Sequence, residues 1–218
     1  MSRRLDALAL LLLIPLAGCS SNSGSDWSSV YAMVQDYWKG TPPISLEQAA
    51  AVPFASIGVR IGDGAQVLLV LATQDDTDLM WVAGHTVAIE TVGGRIVKTS
   101  GLDRNLTRLS SNRATDGQAG AWTQPAASTW MADFADDNRY AVQLSCNRLA
   151  PVSDPVTILG KEIATVRVDE TCEAPALDWS FTNSFWVEPA SGFVWRSVQH
   201  VSPNLDPIEI VVLRPPEH

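Results

Sequence analysis

Along the chain, apolar positions follow three successive patterns. Residues 7 to 17, "ALALLLLIPLA", form an unbroken apolar run of eleven, too short for a helix to cross a hydrocarbon layer about 30 Å thick. From Trp27 the spacing becomes helical. Trp27, Val30, Tyr31, Val34 and Trp38 recur at three- and four-residue steps, which puts them on one face of a helix from Asp26 to about Lys39. "GTPP" ends that helix, and "SLEQ" at 45–48 has the capping-box spacing that opens a second, short one before Pro53.

From Phe54 onward the period falls to two. "FASIGVRI" and "AQVLLVLAT" flank "GDG" as a hairpin, and "LMWVA", "HTVAIE" and "RIVKTS" continue the series. Residues 101–137 read as irregular, rich in Ser, Asn, Asp, Gly and Ala, with Trp122, Trp130 and Phe134 as landmarks. Alternation then resumes in "RYAVQLSC", "VTIL", "EIATVRVDETC", "DWSFTNSFWVE", "FVWRSVQHV" and "IEIVVL", with turns at "LGKE" and "EPASG". About ten strands with little helix predict a mainly β, antiparallel architecture. No internal repeat appears, so residues 26–218 read as a single β-rich domain with an excursion at 101–137.

The N-terminus changes the picture of where this domain sits. Arg3 and Arg4 precede the apolar run, and Leu16, Ala17, Gly18 and Cys19 follow the lipobox pattern of bacterial lipoproteins. That pattern implies a signal peptide over 1–18, removed before Cys19. It also implies a cysteine acylated on its thiol and amino group, palmitate included, and a polar tether over 19–25. Ser20, in place of the Asp that retains such proteins in the inner membrane, points to the outer membrane with the domain facing the periplasm. Export to an oxidising compartment leaves Cys146 and Cys172 as one pair, expected to form a disulfide.

Charge and motif content narrow the function. The chain carries 15 Lys and Arg against 24 Asp and Glu, net −9. Loss of residues 1–18 would remove Arg3, Arg4 and Asp6, leaving 13 against 23, net −10. Such a balance repels phosphate backbones and excludes a nucleic-acid partner. G-x-S-x-G, H-E-x-x-H, G-x-x-x-x-G-K-[ST] and S-x-x-K are all absent, so no nucleophile, zinc or nucleotide site is predicted. His85, His200 and His218 are too few and too scattered for a metal site. "DDTD" at 75–78 reads as a solvated turn, since it lacks the Gly and distal Glu of a calcium loop. The pairs Asp136/Asp137 and Glu170/Glu173 sit in polar stretches, a poor setting for a glycosidase. Trp179, Trp186, Trp195, Phe181, Phe185 and Phe193 crowd the last forty residues, as core or as a platform for sugar rings.

Two tracts carry a family resemblance. "GGRIVKTSGLDRNL" (93–106) and "FWVEPASGFVWRSVQHVSPNLDPIEIVVLRP" (185–215) resemble the YjbF/GfcB-type lipoproteins of group 4 capsule and exopolysaccharide operons. "VPFASIGVRIGDGAQVLLVLA" and the tryptophan of "LMWVAG" are similar to that family in the same order. The resemblance implies a strongly curved antiparallel sheet or half-barrel sandwich with one or two N-terminal helices. It implies a non-enzymatic, cofactor-free accessory protein that works with other exopolysaccharide-export proteins of its operon. A polysaccharide is a further possible partner. No catalytic residues carry over. Gly94, Arg95, Gly101 and Leu102 read as a required turn, with Arg95, Trp195, Arg196 and Gln199 as candidate contacts to a partner or glycan. The competing readings are a lipid or lipoprotein carrier with an apolar concavity and a polysaccharide-binding or -processing protein.

Overall fold

The computed structural model describes residues 43–111, 122 and 124–217. The leader, Cys19, the tether and the helix expected at 26–39 lie outside the described residues. The capping box forms as its spacing predicts. Ser45 Oγ accepts from the Gln48 backbone N–H at 3.2 Å, and the Gln48 side chain returns the bond to Ser45 N–H at 2.8 Å. These bonds start α1 (Leu46–Ala50), which stops ahead of Pro53.

Fifteen strands follow: β1 (Ser56–Ile61), β2 (Val67–Asp75), β3 (Asp78–Ala83), β4 (Val87–Val92), β5 (Arg95–Ser100), β6 (Arg108–Ser111), β7 (Ala126–Phe134), β8 (Arg139–Arg148), β9 (Val152–Ser153), β10 (Val156–Ile158), β11 (Lys161–Ile163), β12 (Val166–Ala174), β13 (Trp179–Val187), β14 (Val194–Gln199) and β15 (Ile208–Arg214). The strands β6 and β7 fall inside the stretch that reads as irregular. In "AASTWMADF" the side chains facing solvent include small or weakly polar Ala and Thr, so hydrophobic contrast between the faces is low. "DDTD" is the β2–β3 turn, with Asp76 at φ +52°.

All pairings are antiparallel, in the order β5-β4-β3-β2-β1-β15-β14-β13-β12-β8-β7-β6, with β9 added on β12. The sheet therefore curls until its two terminal strands meet. At the seam, Thr99 N–H donates to Leu106 C=O at 2.8 Å and Leu106 N–H to Thr99 Oγ1 at 2.9 Å. Asn105 fastens this corner. Its backbone and side-chain N–H groups both reach Asp136 Oδ2, at 2.9 and 3.0 Å, and hold that carboxyl below the usual aspartate range.

Two-residue alternation selects what faces inward. On β8, Val142, Leu144, Cys146 and Arg148 are buried while Gln143, Ser145 and Asn147 are exposed. The interior is filled by Ile57, Leu69, Trp81, Ile89, Ile96, Phe134, Ile208 and their neighbours, each large aliphatic contributing roughly 1.5–3 kcal/mol by burial. Cys146 and Cys172 are directly opposite each other on β8 and β12 and joined as a disulfide. Closing that loop of 26 residues stabilises by about 3–4 kcal/mol in the chain-entropy model. Outside the sheet, the β10–β11 hairpin turns through Leu159 and Gly160, at φ +50° and +79°. It lays Val156 and Ile158 on Trp186 of β13.

His200 packs its ring 5.4 Å from that of Phe181, which in turn stacks 4.1 Å from Trp179. Burial among these rings lowers the imidazole's pKa from 6.5, partly opposed by a backbone hydrogen bond to Thr182. The unfolded chain therefore takes up a proton before the folded one does. Stability is complete above pH 6.5 and declines as the pH falls from there toward the lowered folded value. Urea titrations at pH 7.5 and 5.5 should show this loss, and His200→Gln should flatten it; an unchanged slope in the variant would contradict the assignment.

Candidate functional site

A buried charge pair occupies the centre of the sheet's interior. Arg95, at the start of β5, donates from Nη1 to Glu170 Oε2 at 2.8 Å and from Nη2 to Oε1 at 3.1 Å. Arg95 is 2% exposed and Glu170 is 0% exposed. The guanidinium carbon lies 4.5 Å from the ring centre of Trp130, 5.1 Å from Phe185 and 5.7 Å from Trp122. Arg148 covers Trp122 at 4.5 Å. Arginine suits this place because its planar, weakly hydrated head stacks on rings while its edge grips a carboxylate bidentately.

The tracts 93–106 and 185–215 meet beside this pair. Gln199 Nε2 donates to Gly94 C=O and Gln199 Oε1 accepts from Ile96 N–H, both at 2.9 Å. Gly94 has φ +84° and sits so close to Val194 that a Cβ there would lie 2.5 Å from it. At Gly101 a Cβ would lie 1.8 Å from the Thr86 carbonyl oxygen. A one-residue register shift between Glu90–Lys98 and Thr91–Ile96 leaves Val97 unpaired and accompanies the burial of both Arg95 and Ile96. The glycine-rich tract is thus a fitted hairpin end, held by a glutamine from the other tract.

Two openings among the described residues exceed 100 Å³. One, of about 150 Å³, lies inside the curl between Trp81, Leu79, Phe193, Ile57 and Ile210, with Gln74 and Asp76 also in its lining. A cavity of that size admits a molecule such as benzene, well short of an acyl chain. The other is a groove of about 320 Å³ on the outer face, between the β10–β11 hairpin and strands β1, β15, β14 and β13, within the range of about 300–1,000 Å³ that ligand sites occupy. Arg60 and Arg196 converge there on Glu209. Arg196 Nε donates to Oε1 at 2.8 Å, and Arg60 Nε to Oε2 at 2.9 Å, with Arg60 Nη2 on the same oxygen. Arg196 also lies 4.3 Å over the ring of Trp186, whose indole N–H donates to Asp154 Oδ2 at 2.9 Å.

This geometry sorts the residues singled out from the sequence. Arg196 faces the outer groove. Arg95 and Gln199 do not face a partner or glycan: both are buried, Arg95 on Glu170 and Gln199 on the hairpin end at Gly94 and Ile96. Trp195 is half-buried in an edge-to-face contact with Phe193 at 5.0 Å. Pairing shifts by one residue between Trp186–Arg196 and Val187–Val194, so Trp195 has no cross-strand partner. The late aromatics are thus distributed over core and outer cluster and form no continuous platform. Glu170 and Glu173 lie on opposite faces of β12, and Asp136 is engaged by Asn105, so neither carboxylate pair is assembled for catalysis. Cys146, Cys172 and Glu170 cluster within 4.8 Å, but both sulfurs are in the disulfide and Glu170 is held by Arg95. Alternation held a signal that was missed: Glu170 shares an inward face with Val168, Cys172 and Ala174.

A glycine pair tests the hairpin fit. Gly84 has φ +59° and open space around its Cβ position, so Gly84→Ala should cost about 1 kcal/mol from backbone strain alone. Gly94→Ala should cost about 1–3 kcal/mol beyond that, from the clash with Val194. Equal losses in chemical denaturation would contradict the fitted hairpin.

Comparison with known proteins agrees with this architecture. The model of the family described as group 4 capsule polysaccharide lipoprotein gfcB, YjbF matches residues 6–213. The chain is 26% identical over 205 residues to the uncharacterized lipoprotein GfcB of Escherichia coli K12, covering 92% of this chain and 94% of that protein. It is 26% identical over 223 residues to the lipoprotein YjbF of the same organism, covering 95% and 96%. The crystal structure of the hypothetical lipoprotein YmcC from Escherichia coli K12 superposes with a TM-score of 0.70 at 22% identity, over 87% of this chain and 96% of that one, and has the same fold. Among the described residues no helix is long and apolar enough to cross a membrane. With the match running through both interlocked tracts and almost every strand, the chain belongs to the YjbF family of group 4 capsule polysaccharide lipoproteins.

Proposed function

We propose that this protein is a non-catalytic accessory factor in the secretion or assembly of a capsule or exopolysaccharide. In this reading it is anchored by acylated Cys19 to the outer membrane, faces the periplasm and acts beside export proteins of its own operon. The observation that carries the reading is the extent of the family match, from residue 6 to residue 213. The lipobox at Leu16–Cys19 and Ser20 behind it support the anchor and its destination. A side-chain-filled interior supports a scaffold over a lipid carrier, since the apolar cavity of about 150 Å³ is too small for an acyl chain.

Deleting the gene should lower surface polysaccharide several-fold while growth and membrane integrity persist. Complementation with the intact gene should restore the polysaccharide, and Cys19→Ser should restore little of it. Unchanged surface polysaccharide in the deletion strain would overturn the role.

A further inference from the structure

We infer that the outer groove is a binding site for a carboxylate-bearing sugar unit of an acidic glycan. Glu209 is nearly enclosed, its side chain 11% exposed, and accepts from Arg60 on one oxygen and from Arg196 on the other. Each arginine spends its Nε and Nη2 edge on that contact. The Nη1 groups make no further hydrogen bond or ion pair among the described residues, and the two side chains remain 41% and 35% exposed. At the Glu209 end two guanidiniums meet one carboxylate, while Asp154 brings the charged lining as a whole to neutral, so the pull on an anion is local to the spare Nη1 groups. Because Glu209 fixes both heads, their spare N–H groups are presented without loss of side-chain freedom, the arrangement that favours bidentate capture of another carboxylate.

The remainder of the lining decides which anion fits. Asp154 belongs to the same groove, held by Trp186 and by Arg167 at 3.5 Å. A fixed carboxylate there repels a compact phosphate dianion but accepts hydroxyl donors. Val211, Leu213 and Pro155 supply apolar surface for the flat side of a pyranose ring. A carboxylate at one end, hydroxyls at the other and an apolar ring face between them describe a hexuronate. This inference deepens the export role and rests on it for the ligand class.

The test titrates the full-length chain, purified in detergent, with a galacturonate hexamer, with maltohexaose as the neutral control and with inorganic phosphate. Binding should be confined to the galacturonate hexamer. In the wild-type protein it should move the NMR resonances of the Trp186 indole N–H and the Arg60 and Arg196 Nε–H groups. Arg60→Gln should lower affinity at least tenfold while leaving the thermal unfolding midpoint nearly unchanged. Equal binding of maltohexaose, preference for phosphate, absence of binding, or shifts confined to residues outside the groove would each overturn the site. If the intact gene restores surface polysaccharide and its product binds no galacturonate, the glycan site fails and the export role stands.

Discussion

The architecture hangs on a charge pair buried among aromatic rings. The Arg95–Glu170 bridge crosses the interior from β5, at one end of the strand order, to β12 in the opposite half. Two ions taken out of water cost several kcal/mol each, and only good geometry with further contacts recovers that cost. Here the recovery comes from a bidentate grip, from Trp122, Trp130 and Phe185 around the guanidinium, and from Gln199 holding the same hairpin to β14. These contacts require the sheet to curl completely. A flatter sheet would leave β5 far from β12, with a lone carboxylate inside an apolar core. The Thr99–Leu106 seam and the Asn105–Asp136 corner then finish a closure that the interior has already imposed.

A side-chain-filled interior leaves the larger opening on the outer face. The residual cavity inside the curl is small, and the core carboxylates are engaged. On the outer face, the β10–β11 hairpin arches over β13–β15 and creates a groove in which a second arginine–glutamate cluster stands in partial contact with solvent. The two clusters use the same chemistry in opposite settings. Inside, one guanidinium meets one carboxylate and the aromatic rings complete its surroundings. Outside, two guanidiniums share one carboxylate and retain donors, which is the condition for recognising a further anion.

Much of the fold was legible along the chain because alternation is a local property. The hairpins of β1–β5 and the capping box at Ser45 could both be read directly. β7 was hidden because its outward face carries Ala127 and apolar Met131 while its inward face carries small Ser128 and Ala132, which blurs the contrast. The site residues were less legible, for a different reason. Arg60 and Glu209 stand 149 positions apart, and nothing local marks them as partners; only the β1–β15 register does. Arg95 reads as a contact residue because nothing local marks Glu170, 75 positions away, as its partner. The tracts that carry the family resemblance are the parts that interlock Gly94, Val194 and Gln199, so they report the frame more than the working surface.

The central claim is that Arg95 and Glu170 act as one unit in closing the sheet. A double-mutant cycle measures this directly, from unfolding free energies of Arg95→Met, Glu170→Leu and the double variant. Each single change strands a buried charge and should cost roughly 3–5 kcal/mol, while the double variant should lose far less than the two losses combined. Small, additive losses would show that the pair is incidental and that the curl is held by apolar packing alone.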